Sequence, residues 1–338
     1  MDFGIFVRPG HYSWSHTRAL VQAAEAAGFR YVWFGDSHLI WQEVSPYLTL
    51  AAMVSETLHI GPLVTNPVTR HPTVMASTMA TLNELSHGRA VLGLGRGDSA
   101  VRTLGLSPMP VAQFRTVSQQ MQALCRGETV EFDGTAVHFP WLTRPLPLFM
   151  AAYGPRVLQL AGEMADGIIL QMADASVVSW SMAHVRQGAT RAGRKQPPQH
   201  IVVAAPSYIS SDPAHILTRV RGFPGVVSNH VRDLLRRYPD ADLPPALLQD
   251  IDVIQNYDYR HHGQPDALHA RDVSYDLAAR LTIVGTIDEC CCRIDQLAKH
   301  GATQLCLYLN VVEEAAQLDF LATYGRDIIP VFSTSTSC

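Results

Sequence analysis

The sequence predicts an α/β fold, a (β/α)8 TIM barrel with insertions after strands 4 and 7, and three observations predict it. Eight short apolar runs recur along the chain, most of them separated by a helical pattern, as in a parallel sheet covered on both faces. No G-x-G-x-x-G follows the first run, as an open dinucleotide-binding sheet would require; the Gly-rich stretch Gly93–Gly97 carries Asp98 where the third glycine would fall. The 338 residues suggest about two domains by size alone, yet eight strand–helix units with two interruptions fill residues 1–338 as one domain.

Taken in order, Asp2–Val7 is the first strand, and an apolar stripe over His16–Ala27 is a helix stopped by Gly28. Arg30–Phe34 is the second strand, Val44–Glu56 a helix and Leu58–Val64 the third strand. Pro72 opens a helix that runs to Leu85, and Ala90–Leu94 is the fourth strand. The rhythm breaks over about 100–145, where Val111–Cys125 is helical and Thr129–Phe139 alternates like a hairpin about Asp133-Gly134. It resumes with strands at Leu148–Ala152, Gly167–Leu170 and His200–Ile209, separated by helices at Arg156–Ala161 and Val177–Arg191. A second interruption, about 211–277, is rich in Pro and His and shows only broken helical patterns. Helix Thr286–Lys299, an eighth strand Gln304–Leu309 and helix Glu313–Tyr324 complete the chain.

Composition narrows the function. Charged residues make up 17% of the chain and the net charge is -4, which excludes a disordered tail and leaves no basic surplus for nucleic acid. Apolar runs fall short of the ~18 residues a membrane span needs. Met1 leads directly into a strand-like segment, so no signal peptide and a cytoplasmic location are expected. No two of the six cysteines show C-x-x-C spacing, and Cys290, Cys291 and Cys292 point about 100° apart on a helix; buried small hydrophobes, and no metal, are expected.

Barrel chemistry belongs to the loops after the strands. Asp36 and His38 follow strand two, as an acid–base or orienting pair or as a helix cap and a ring packed under Trp41. After strand three, Thr65 and Asn66 suit the polar edge of a heterocycle or a turn before Pro67, and Arg70 either meets an anion or staples its loop. Gly95–Ser99 follows strand four, where glycine admits close approach of a ligand. Tyr153-Gly154-Pro155 after strand five opens straight into a helix, an anion-binding arrangement with proline at its first position. Gln171 ends strand six and Asp174 caps the next helix. His261, His262 and His269 fall in the second interruption and read as surface residues.

The stretches GPLVTNPVTRHPTVMASTMATLNELSHGRAVLGLGRGD, AAYGPRVLQLAGEMADGIIL and VGTIDECCCRIDQLAKHGATQ together resemble the bacterial-luciferase-like superfamily of flavin- and deazaflavin-dependent enzymes. Within it they are most similar to the F420-dependent oxidoreductase branch that includes methylene-tetrahydromethanopterin reductase. The resemblance implies one deazaflavin (F420), or alternatively FMN, resting on a bulge in strand three with a cis peptide at Leu63–Val64. It implies cofactor contacts from Leu63, Val64, Thr65, Asn66, Gly97, Asp98, Ala152, Tyr153, Gly154, Pro155 and Gln171, and proton handling by Asp36 and His38. Tyr257 and Tyr259 would close the pocket, and Arg96 and Arg156 would serve the anionic tail.

Two departures stand out. Ser37 occupies the position where many relatives carry His directly after Asp, displacing His38 by one. Arg8-Pro9-Gly10-His11 replaces a segment where some relatives carry glutamate. The implied activity is hydride transfer between F420 and a small polar or heterocyclic molecule. The alternative is an FMN-dependent monooxygenase supplied by a separate reductase. A homodimer through helices two and three is implied as well; Met53 and Met75 on those helices would suit such a surface or an ordinary core equally.

Overall fold

The computed structural model describes residues 1–239, 243–248, 256–311 and 313–333. Eight parallel strands close into a barrel: β1 (Asp2–Val7), β2 (Tyr31–Phe34), β3 (His59–Pro62), β4 (Leu92–Leu94), then β7 (Leu148–Ala151), β8 (Gly167–Leu170), β9 (His200–Ile209) and β11 (Gln304–Leu309). The ladder runs β3-β2-β1-β11-β9-β8-β7-β4, and single bridges Ile60–Ala90 and Thr65–Leu94 join β4 back to β3. The hairpin β5 (Val130–Phe132) and β6 (Thr135–Val137) lies outside the barrel, turning through Asp133 and Gly134 at φ 48° and 79°. β10 (Ile283–Gly285) pairs with β9 alone.

Closure demands close backbones at the β3–β4 seam. A Cβ on Gly93 would sit 2.0 Å from the Pro62 carbonyl oxygen, so no other residue fits there. The alternating glycines of this stretch therefore serve the barrel seam as well as any ligand. The strands are apolar because both faces are covered, and Ile5, Val32, Trp33, Ile60, Leu92, Ile168, Val202 and Leu307 are buried.

Helices ring the barrel: α1 (Trp14–Ala26), α2 (Ser45–Val54), α3 (Pro72–Leu85), α4 (Ser99–Arg102), α5 (Val111–Cys125), α6 (Pro155–Met164) and α7 (Ala175–Arg191). The segment after β9 carries α8 (Pro213–Val220), α9 (Phe223–Arg237), α10 (Pro245–Leu248) and α11 (Tyr275–Leu281). α12 (Ile287–Lys299), α13 (Glu314–Thr323) and α14 (Ile329–Ser333) follow. Termini are specified locally. Asp174 caps α7 by accepting from Ser176 and Val177 N–H at 2.9 and 3.1 Å, as expected. Thr286 and Glu289 form a capping box on α12.

Two expectations need correction. Only Cys290 of the cysteine triplet is buried; Cys291 is half-buried and Cys292 exposed, because successive helical positions rotate away from the core. The long interruption contains α9, fifteen residues of continuous helix whose signal Pro224 and Gly225 in its first turn obscure. Among the described residues no helix is long and apolar enough to cross a membrane.

Candidate active site

The C-terminal strand ends surround one cavity of about 1580 Å³, partly open to solvent. Arg8 lines it from β1, Asp36 and Ser37 from β2, Leu63–Asn66 from β3, Gly95–Ala100 from β4, Ala152–Gly154 from β7, Gln171 from β8, and Tyr308 and Asn310 from β11. α9 and the loop at 262–263 cover it, contributing His230, Asp233, Arg237 and His262.

The wall after β3 is built by a crossed pair of backbone bonds. The Leu63–Val64 peptide is cis, as the resemblance implies. Thr65 N–H donates to the Gly93 carbonyl and Gly95 N–H to the Thr65 carbonyl, each at 2.9 Å. This fixes Thr65 in a fully buried position where its hydroxyl has no hydrogen-bond partner among the described residues. Asn66 uses its side-chain oxygen to hold its own turn, accepting from Val68 and Thr69 N–H at 3.0 Å each. It is a turn residue that also lines the cavity.

Asp36 is buried and receives Arg70 through one oxygen at 2.6 Å, while its Oδ1 has no partner among the described residues. Arg70 also grips Glu43 at 2.6 Å, so it staples the loops after β2 and β3 together. Ser37 and Ser99 share a hydrogen bond of 2.7 Å across the same rim. An unpartnered hydroxyl and an unpartnered carboxylate oxygen, both buried in a cavity wall, match the polar edge of a flat heterocycle.

Gly97 turns the chain at φ 93°, and a Cβ there would lie 2.4 Å from Val101 Cγ2. That turn presents Asp98 to a network from the covering helix. His230 Nε2 lies 3.1 Å from Asp98 Oδ2, Arg102 Nε donates to Asp98 Oδ1 at 3.0 Å, and the Tyr153 ring stacks on His230. Burial by itself would raise the Asp98 carboxyl, but the His230 hydrogen bond, with the charges of His230, His262 and Arg102, holds it well below the usual range. Asp233 anchors Arg102 at 3.3 Å and Arg237 at 3.1 Å. Burial pushes His262 down to about 4, and its Nδ1 lies 2.7 Å from the Tyr257 hydroxyl.

At the β7 end, Gly154 caps α6 and Pro155 occupies its first position, so the following N–H groups open toward the cavity end. A Cβ on Gly154 would meet Leu234 Cδ1 at 3.3 Å and Tyr238 Cε2 at 3.6 Å. Arg96 and Arg237 line the same end, and Arg156 lies over the Tyr238 ring at 5.5 Å.

Comparison with known proteins places this geometry. The luciferase-like monooxygenase family model matches residues 1–304. The chain belongs to that family. Among curated relatives of this luciferase-like chain, 5,10-methylenetetrahydromethanopterin reductase of Methanolobus tindarius is 32% identical over 300 residues, covering 83% of this chain and 86% of the relative. The F420-dependent hydroxymycolic acid dehydrogenase of Mycobacterium tuberculosis is 36% identical over 195 residues, 52% of this chain and 54% of its own length. The solved coenzyme F420-dependent tetrahydromethanopterin reductase of Methanopyrus kandleri superposes with a TM-score of 0.76 at 25% identity, covering 98% and 99% of the two chains. The chain is an enzyme of the luciferase-like family.

In this luciferase-like enzyme, the structure brings Asp36, Leu63, Val64, Thr65, Asn66, Gly97, Asp98, Ala152, Tyr153, Gly154 and Gln171 to one cavity. It leaves out His38 and Pro155, and also Arg156, Tyr257 and Tyr259. His38 does not line the cavity, whereas Ser37 does; the chain turns here, with Ile40 and Trp41 N–H donating to the Ser37 carbonyl, and carries His38 off the wall. Pro155 starts the helix but does not reach the wall. Tyr257 and Tyr259 stand behind it, Tyr257 against His262 and Tyr259 accepting from Asn229 at 2.7 Å. His262, read as a surface residue, lines the cavity, and His269 is buried. His230, Asp233 and Arg237 were missed entirely. Their spacing on α9 was the available signal, since positions three, four and seven apart share a helix face.

Proposed function

We propose that the chain is an oxidoreductase that uses F420 to move a hydride to or from a small organic substrate held in the same cavity. The observation that carries this reading is the pair of orphaned buried groups, Thr65 Oγ1 and Asp36 Oδ1, in the wall between a seam of close-packed backbone and the covering helix. The names of the relatives point the same way. When bound, the deazaflavin supplies the hydride chemistry at its ring.

The residues divide the work. Thr65, the Asn66 amide nitrogen and Asp36 bind the polar edge of the ring; Gly95 and Gly97 keep the wall thin. Gly154 and the α6 N-terminus, with Arg96 and Arg237, take the anionic tail. Ser37 and Ser99 replace the displaced His38 as the hydroxyl pair able to pass a proton at the rim. The covering helix, held by His230, excludes water. A homodimer is part of the proposal, since α2 and α3 expose Met53, Val74 and Leu85 while Met75 is buried in the core.

Replacing Gly154 with Trp tests the reading. The variant should fold with wild-type circular dichroism and lose F420 binding, since the indole would occupy the space before Leu234 and Tyr238. Unchanged F420 affinity would place the cofactor elsewhere. The FMN-dependent monooxygenase, with its separate reductase, is distinguished by the cofactor that binds.

A further inference from the structure

Charge in the cavity is balanced at every carboxylate. Asp36 has Arg70 at 2.6 Å, Asp98 has His230 at 3.1 Å and Arg102 at 3.0 Å, and Asp233 has Arg102 at 3.3 Å and Arg237 at 3.1 Å. Two arginines of the lining lack such a partner: Arg96, whose Nε donates to the Met109 carbonyl, and Arg8. Among the described residues no carboxylate lies within ion-pair distance of it, and its side chain makes one long hydrogen bond, to Asn310 Oδ1 at 3.4 Å. Asn310 is itself oriented by donating its amide to the Arg219 carbonyl at 3.0 Å.

Among the described residues, no group that carries negative charge at neutral pH interacts with Arg8. The groups that interact with it electrostatically are Tyr12, Tyr308, His11 and His262. Burial raises both tyrosines and lowers both imidazoles, so all four are neutral there. A partly buried guanidinium without a counter-ion costs free energy unless a ligand supplies one.

We propose that Arg8 is the specificity-determining residue for a carboxylate on the substrate, which makes the substrate class a small organic acid with an apolar body. This rests on the reading of the cavity as a chamber shared by cofactor and substrate. Topology keeps the two anions apart. β1 and β4 lie three strands apart around the ring, so Arg8 and Arg96 stand on different sides of the cavity. The Arg96 side adjoins Gly154 and Arg237, whereas Arg8 adjoins an aromatic patch. There Phe6 packs on Tyr308 with centroids 4.5 Å apart and on Trp41 at 5.9 Å, and Phe223 packs edge-on to Tyr308. A planar guanidinium fork fits the two coplanar oxygens of a carboxylate, whereas a phosphate dianion calls for a second cation that this side does not present.

Calorimetric titration with acetate, phenylacetate and benzoate, each against its neutral amide and against phenyl phosphate, tests the proposal on wild-type protein with and without F420. At least one acid should bind tenfold or more tighter than its amide and tighter than phenyl phosphate. Arg8→Gln should erase that preference and Arg8→Lys should retain part of it, with F420 affinity within twofold of wild type in both. No acid–amide preference in wild type, an equal preference in Arg8→Gln, or tighter binding of phenyl phosphate would overturn it. Loss of F420 affinity in both Arg8 variants would also overturn it, assigning Arg8 to the cofactor instead. Failure of wild-type protein to bind F420 contradicts the proposed function alone, because the acid–amide comparison on the F420-free protein still reads Arg8.

Discussion

The imidazole of His230 lies flat on the ring of Tyr153, their centroids 4.6 Å apart and their planes 8° apart. One residue comes from the segment after β9 and the other from the turn after β7, so the stack fastens the cover of the cavity to its frame. The Asp98 hydrogen bond at the edge of the same imidazole sets its rotation.

His230→Ala should therefore loosen the cover. The stack and the charge-assisted hydrogen bond each contribute about 1 kcal/mol, so a loss of roughly 2 kcal/mol is expected by urea denaturation, with F420 affinity about tenfold weaker. His230→Phe keeps the stack and should recover about half. Equal loss in both variants would show that stacking contributes nothing.

Acid stability depends on two groups with opposite partners. His262 titrates at about 4 in the fold against 6.5 when free, so unfolding takes up a proton between those values and stability rises with pH across that window. His262→Gln should flatten the slope, checked by urea midpoints from pH 4.5 to 7.5. Asp98 is depressed below its free value of 3.8, so its contribution is present above about pH 4 and is lost only as pH falls below it. Asp98→Asn should thus lower stability at pH 7 and converge on wild type in strong acid.

Thr65→Val separates folding from binding. Removing a buried hydroxyl that has no partner should leave the thermal midpoint of the cofactor-free protein unchanged or raise it. The same change should weaken F420 by about five- to tenfold, the equivalent of one hydrogen bond. A fall in the midpoint with unchanged affinity would assign Thr65 to the fold alone.

Gly97→Ala places a Cβ 2.4 Å from Val101 Cγ2 at φ 93°. We expect about 1–3 kcal/mol of destabilisation, read by denaturation, together with weaker cofactor binding as the Asp98 turn shifts.

The barrel was legible because eight apolar runs are long-range in meaning but local in signal: each must be covered on both faces wherever it sits. The α6 start was legible for the same reason, Gly154 and Pro155 being a local terminus. β10 was not, since three residues paired to one neighbour carry no period. Ser37 and His38 show the limit of loop reading. Sequence places both at the strand end, and only backbone direction decides which one turns to the cavity. His230 and His262 enter from a segment far along the chain, so no spacing relates them to Asp98.

Side-by-side anaerobic titration of the purified protein with F420 and FMN tests the central claim most directly. F420 should bind at one per chain with FMN at least a hundredfold weaker. Stoichiometric FMN binding with none of F420 would contradict it.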